Sequence, residues 1–179
     1  YKMSVYKTTI KLQSNGGEPT FINITDEVKA AIADSGIQDG ICTIISPHTT
    51  CAVFFEEYVH DTDEKGTEFL QLDLNDVLKK LIPDELKEGQ YRYPGEKHYQ
   101  AVASWPDAEA YLPNGDRTAL LNGDAHLKAT LIGSSETFLV DQGKLGVGTT
   151  GYIYFVDFDR TRSRTRKCHI CLLYTSDAA

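Results

Sequence analysis

Alternation with a period of two marks both ends of this chain and does most to limit what it can fold into. Ser4-Val5-Tyr6-Lys7-Thr8-Thr9-Ile10-Lys11-Leu12 alternates near the start, and Tyr152-Ile153-Tyr154-Phe155-Val156-Asp157-Phe158-Asp159 alternates late, continuing through residues 160–167. Side chains two apart share one face of a strand, so such runs specify strands rather than helices. The turn Ser14-Asn15-Gly16-Gly17 ends the first strand, and Phe21-Ile22-Asn23-Ile24 is a short second one. A helix follows, capped by Thr25 or Asp26, with Val28, Ala31 and Ile32 as its apolar stripe and Gly36 as its stop. Ile41-Cys42-Thr43-Ile44-Ile45 is a buried strand; Ser46-Pro47-His48 interrupts it, and Cys51-Ala52-Val53-Phe54-Phe55 resumes the sheet. Residues 63–82 have helical spacing (Phe69, Leu70, Val77, Leu78, Leu81) closed by Pro83, whereas 84–118 lack periodicity and are expected to form a long functional loop or lid. Asp124 is placed to cap a short helix over 126–132, ended by Gly133. After it come a strand over 137–140, the tight turn Asp141-Gln142-Gly143-Lys144 and a strand pair over 145–147 and 151–158. Hairpin-joined strands with few helices predict an α+β fold with mostly antiparallel sheet.

Composition narrows the function classes. The chain has 179 residues, 41% of them hydrophobic, with 18 Lys and Arg against 26 Asp and Glu for a net charge of −8. That length fits one domain, and that apolar content excludes global disorder. No apolar run reaches the roughly 18 residues of a membrane helix. The acidic balance argues against non-specific nucleic-acid binding, which needs a basic surface. No charged and then apolar leader is visible, which makes the cytoplasm the default location. Met3, the single methionine, is read as the start of a domain spanning 3–167. Residues 168–179 are read as a non-native or disordered tail, because the stretch from Cys171 resembles a translated sequencing adaptor; the alternative is a genuine last strand with a frayed tail. Cys168 and Cys171 have C-x-x-C spacing, while Cys42 and Cys51 fall inside apolar strands as buried structural thiols.

Three histidines stand where packing does not call for them. They are His48 at the strand interruption, His98 in the long loop and His126 at the start of the short helix. Three imidazoles with one open position make a catalytic zinc site, although no short i, i+4 ligand pair is present and each histidine taken singly reads better as a loop or hydrogen-bonding residue than as a ligand. Asn122-Gly123-Asp124 leads into a helix N-terminus suited to phosphate, with Lys128 one turn in. The Gly-rich segment Gly146-Val147-Gly148-Thr149-Thr150 is either an anion loop or a set of turns, and no GxxxxGK[ST] motif is present. Glu56 and Glu57 close an apolar strand, so one of them should point inward as an orienter or base. Arg160, Arg162, Arg164 and Arg166 alternate on one strand face, as an anion or subunit surface or as edge protection.

Three ordered segments, Ser46-Pro47-His48-Thr49-Thr50-Cys51-Ala52-Val53, Gly123-Asp124-Ala125-His126-Leu127-Lys128-Ala129-Thr130-Leu131-Ile132-Gly133-Ser134-Ser135 and Gly143-Lys144-Leu145-Gly146-Val147-Gly148-Thr149, together resemble the YjbQ-like family, also called secondary thiamine-phosphate synthase enzymes. The resemblance implies an α+β homotrimer with sites at or near subunit contacts. It implies a metal, zinc above all with magnesium possible, on His48, His98 and His126. It further implies catalytic roles for His126, for Glu57 (or Glu56) as base or orienter, and for Lys128 as anion holder. The implied activity joins a pyrimidine diphosphate to a thiazole phosphate with release of pyrophosphate; the implied partner is therefore a small phosphorylated molecule, with no nucleic acid and no membrane. The alternative is a non-catalytic trimeric binding module for a metal or small anion. After Gly148-Thr149 the family commonly continues with Trp and Gln, whereas this chain has Thr150 and Gly151.

Overall fold

The alternating N-terminal run becomes β1 (Lys2–Ser14), and it pairs along its whole length with β8 (Arg164–Ser176), Lys2 opposite Ser176 and Ser14 opposite Arg164. The computed structural model describes residues 2–176. β8 also pairs with β3 (Gly40–Ile45), β3 with β5 (Ser135–Asp141), and β5 with the short β6 (Lys144–Leu145). This makes an antiparallel five-stranded sheet, β1-β8-β3-β5-β6. The β5–β6 turn has Gln142 at φ 50° and Gly143 at φ 73°. Two successive positive φ values are what a twisted two-residue hairpin turn requires, which is why glycine sits at its second position.

The second sheet has three antiparallel strands, β2 (Thr20–Asn23), β7 (Gly151–Asp157) and β4 (Cys51–Glu57), in the order β2-β7-β4. Ser46-Pro47-His48 is therefore not an interruption within one sheet: it carries the chain from β3 in the large sheet to β4 in the small one. Likewise, the expected pair over 145–147 and 151–158 is split, with β6 on β5 and β7 between β2 and β4.

The middle layer explains the unbroken apolar runs. Cys51, Val53, Ile153 and Phe155 face a core shared with the large sheet and with α1 (Thr25–Ser35). Ala52, Phe54, Tyr154 and Val156 face the opposite way, toward α2 (Phe69–Leu81) and α4 (Gly123–Ile132). A strand covered on both faces has no solvent side and loses its alternation.

The helices differ locally from expectation. At the start of α1 the Asn23 side chain accepts the Thr25 N–H (3.1 Å) and hydroxyl (2.7 Å), so neither Thr25 nor Asp26 is the cap. The Thr25 hydroxyl oxygen instead accepts from the Ile153 N–H at 2.9 Å, tying the helix to β7. α2 starts at Phe69 rather than 63, because the Asp63 carboxylate accepts the Lys65 and Thr67 N–H groups and Gly66 turns at φ 82°. The 84–118 segment is not a bare loop: it holds α3 (Glu96–Ala103) and three short 3-10 turns over a small core of Tyr99, Val102, Leu112 and Leu120. Elements that short show no readable period. No helix among the described residues is long and apolar enough to cross a membrane.

β8 does not stop at Lys167, where the sequence places the end of the domain. Cys168, Ile170 and Leu172 are fully buried between the sheets, on the same inward face as Arg166, and the strand runs to Ser176. Residues 177–179 of the expected tail lie outside the described residues. The outward positions Cys171 and Leu173 blur the polar half of the pattern, which hides the strand from inspection. Within a strand, residues three apart face opposite ways, so Cys168 and Cys171 cannot form a C-x-x-C redox or metal pair. Burial pushes the Cys42 and Cys168 thiols up to about 12, as befits inert core residues.

Ile170→Ala is expected to lower stability by about 2–5 kcal/mol, measured by urea unfolding. Truncation after Lys167 is expected to abolish cooperative unfolding, because it removes a strand with two sheet neighbours. A truncated chain with unchanged stability would contradict that placement.

Candidate functional site

Beyond the last residue of β3, the Lys167 N–H of β8 has no strand partner on that side, since the register ends at Ile45 opposite His169. His48 fills the position. Its Nε2 accepts the Lys167 N–H at 2.9 Å, while its own N–H is received by the Ser46 hydroxyl at 3.2 Å. A neutral His48 therefore carries its proton on Nδ1. Burial, reinforced by Arg166, lowers its pKa from the ordinary value, favouring that neutral form.

Here the β3–β4 connection, α3, the first turn of α4 and the start of β8 enclose a cavity of about 380 Å³. His48, His98 and His126 all line it, together with Tyr93, Arg164 and Arg166; Trp105 and Tyr111 form part of its apolar wall. The sequence-predicted histidines are thus brought together from three separate elements. The Tyr93 ring packs against two of them, its centroid 5.2 Å from that of His98 and 5.3 Å from that of His126. Burial lowers the His126 pKa; Asp159 and the Thr49 carbonyl oppose this, and His98 adds to it. Tyr93 and His126 also border a second, larger cleft of about 700 Å³, so they form the partition between the two.

Behind the imidazoles runs a chain of polar contacts. Burial pushes the Tyr93 phenol up to about 12, so it stays a donor, and it donates to Asn122 Oδ1 at 3.0 Å. Asn122 Nδ2 donates to Asp159 Oδ2 at 2.8 Å, and Arg164 Nη1 lies 2.7 Å from the same oxygen. Burial works to raise the Asp159 carboxyl, but Arg164, Thr161 and Asn122 hold it below its ordinary value. Arg166 donates from Nε to Asp157 Oδ2 (2.7 Å), and from Nη2 to Asp157 Oδ1 (3.3 Å) and the Thr50 hydroxyl (3.0 Å). The arginines of β8 are therefore not edge protection, since their side chains are spent on buried acids rather than on solvent. Arg164 and Arg166 turn inward toward β7 acids, whereas Arg160 reaches 3.6 Å from both Asp84 and Asp124. Tyr93, Asn122, Asp157 and Asp159 are participants that sequence reasoning missed. For the two acids a signal existed, because Asp157 and Asp159 continue the inward phase of Phe155.

Two other predicted residues fall elsewhere. Lys128 has no exposed surface, and its Nζ lies 2.8 Å from Asp84 Oδ1 and 3.1 Å from Asp124 Oδ2. An ammonium already held by two carboxylates is not free to hold a substrate anion. The helix N-terminus ahead of it is also taken: Glu85 Oε2 accepts the Gly123 N–H at 2.6 Å, and Asp124 accepts the Glu85 N–H rather than capping its own helix. Glu57 sits at the opposite end of β4 from the histidines, six residues past Cys51 and so roughly 20 Å along the strand. There Glu56 and Glu57 line a separate recess with Gly148, Thr150 and Gly151, and burial pushes Glu56 up.

The metal expectation can be judged on these contacts. His126, with a ring N–H turned to the Thr49 carbonyl, keeps a lone pair on its other nitrogen and could serve as one ligand, while His98 packs with it on the Tyr93 ring. His48 does not fit as placed, because its lone pair faces Lys167 and Nδ1 carries the proton. Among the described residues no three His, Cys, Asp or Glu side chains come together as a ready-made metal site.

Lys128→Met is expected to cost roughly 3–5 kcal/mol in urea unfolding, by stranding the buried Asp124 carboxylate and the half-buried Asp84. Unchanged stability with weakened anion binding would restore Lys128 to an anion-holding role. Because the Asp159 carboxyl is held below its ordinary value, its contribution is complete at neutral pH and is lost as pH falls through the lowered folded value. Asp159→Asn should therefore lose about 3 kcal/mol at pH 7 and show a shallower acid-unfolding slope below about pH 4.

Comparison with known proteins places this arrangement. The family model described as "UPF0047 protein YjbQ-like" matches residues 8–173. A UPF0047 protein of Archaeoglobus fulgidus is 34% identical over 143 residues, covering 80% of this chain and 84% of its own length. UPF0047 protein YugU of Bacillus subtilis is 32% identical over 152 residues, covering 85% of this chain and 88% of its own. Among solved structures, a YbjQ-like protein of unknown function from Sulfolobus solfataricus superposes with TM-score 0.67 at 28% identity, covering 97% of this chain and all of that one. An uncharacterized YjbQ/UPF0047 protein from Clostridium acetobutylicum gives TM-score 0.64 at 27% identity, covering 92% of this chain and 98% of that one. With its sheets, its S-P-H-T-T crossing and its H-L-K-A helix in the expected order, the chain belongs to the YjbQ-like UPF0047 family.

Proposed function

We propose that the histidine cavity performs chemistry on a small phosphorylated molecule, with thiamine-phosphate synthase-like transfer as its most specific form. The observation that carries this is the convergence of His48, His98 and His126 with Arg164 and Arg166 on one cavity. In such a transfer the attacking nitrogen forms the new C–N bond while the C–O bond to pyrophosphate breaks, so negative charge grows on the leaving oxygen. Fixed donors aimed at that charge lower the barrier without reorganising. His48, with Nδ1–H held in place by Lys167, supplies one donor. The guanidinium N–H groups of Arg164 and Arg166 not used by Asp159 and Asp157 supply others. Tyr93 orients the His98 and His126 rings. A zinc or magnesium ion, held by His126 and completed by water or substrate oxygens, would add Lewis-acid charge to the same pyrophosphate.

The homotrimer belongs to this proposal. Glu57, at the far end of β4, reaches a histidine cavity only if a second copy presents it, and the cytoplasm is the location proposed for the assembly. A second reading is a non-catalytic trimeric binding module for a metal or small anion. The pairing of each arginine with an aspartate favours it, since a guanidinium already held by a carboxylate lends less charge to a leaving group.

Elemental analysis of untagged protein is expected to show near-stoichiometric divalent metal that is lost in His126→Ala while the fold is retained. Full metal in that variant would remove the histidine assignment. Across a panel of phosphorylated substrate pairs, pyrophosphate release expected from the wild type should fall at least about 100-fold in His126→Ala. Ligand binding without any turnover would instead support the binding module.

A further inference from the structure

α2 buries the wrong kind of face for an amphipathic helix. Its buried residues are Gln71, Asn75 and Leu78, while Phe69, Val77 and Leu81 are exposed. Gln71 is 1% exposed, yet neither its amide oxygen nor its amide nitrogen has a hydrogen-bond partner; Asn75 Oδ1, one turn along the same face, and the hydroxyl of the buried Tyr154 are likewise unpartnered. Buried polar groups are normally satisfied, so several orphans in one place mark a site rather than a core.

Gln71 and Tyr154 line a cavity of about 440 Å³ that shares no lining residue with the histidine cavity. That volume suits a small organic ligand. Phe21 supplies an aromatic wall and Glu68 a carboxylate beside Tyr154, whose phenol is raised by burial and then by Glu68. Lys65, at the rim, is paired with Glu18 at 2.9 Å, so the charge left unpaired in the cavity is that of Glu68. An anion is therefore disfavoured here, in contrast to the arginine-lined histidine cavity. A primary amide offers a donor beside an acceptor, and its complement is another such edge, on a carboxamide or on an amino-substituted nitrogen heterocycle.

We propose that this cavity binds a small neutral or protonated molecule through such a donor-and-acceptor edge, held by Gln71, with Tyr154 and Glu68 taking its remaining polar groups. The proposal stands independently of the chemistry assigned to the histidine cavity.

The test titrates the full chain by calorimetry with nicotinamide, which carries the edge on a carboxamide, and separately with cytosine, which carries it on a ring. Saturable one-to-one binding of at least one probe is expected, with a Kd on the order of 1 mM or tighter. Whichever probe binds identifies the source of the edge. Affinity should fall by about tenfold or more in Gln71→Met and in Tyr154→Phe, because each loses a hydrogen bond in a desolvated site. Gln71→Met removes an unpaired amide and should melt no lower than the wild type; if it fails to fold, Tyr154→Phe, which deletes one oxygen, carries the test. Inorganic pyrophosphate, an anion suited to the arginine-lined cavity, should not displace the probe. The proposal is overturned by the absence of saturable binding with both probes, by binding that neither variant weakens, by displacement with pyrophosphate, or by a soaked crystal showing ordered water alone on Gln71.

Discussion

Two ion pairs, Asp157 with Arg166 and Asp159 with Arg164, join the sheets at the end where their apolar faces run out. β7 and β8 carry apolar side chains into the shared core and then change character together, the first to acids and the second to arginines. A lone charge of either sign at that depth would be prohibitive; paired and hydrogen-bonded, the charges become a rigid polar floor. Asp159 also holds Asn122, Asn122 holds Tyr93, and Tyr93 packs against both His98 and His126. The geometry of the histidine cavity therefore depends on electrostatics at the end of a core strand as much as on the loops that contribute the imidazoles.

The same logic places Lys128 and Glu85 in the framework. Lys128, Arg160, Asp84 and Asp124 form a second buried charge cluster that anchors α4 to the segment after α2. Glu85 occupies the helix N-terminus that would otherwise attract a phosphate. The cations that line the histidine cavity thus come from β8 rather than from α4. Polarity is divided between two cavities: one lined by imidazoles and by arginines paired with aspartates at the end of the sandwich, and one with the unpartnered Gln71 amide and a carboxylate beneath α2.

Family membership agrees with this arrangement without deciding its chemistry, since the relatives are named only as UPF0047 proteins and the solved neighbours as proteins of unknown function. The departure from the usual pattern at Thr150-Gly151 falls beside Glu56 and Glu57 in one recess. That departure therefore lies away from the histidines, at the other end of the three-stranded sheet.

The sequence by itself determined the α+β class, the strand identities, the stop of α1 at Gly36 and the β5–β6 turn, because these rest on local terms: side-chain period, positive-φ glycine and turn chemistry. It also singled out His48, His98 and His126, since histidines outside the packing pattern stand out one by one. Tertiary structure alone decided that β3 and β4 lie in different sheets, because a strand buried on both faces and one resuming the same sheet share the same apolar run. It carried β8 past Lys167, where half-apolar outward positions had hidden the alternation. It also turned Lys128 from an anion holder into a buried counter-ion and set Glu57 a strand's length from the histidines. Those outcomes depend on which charges meet across long sequence separations, which no local pattern encodes.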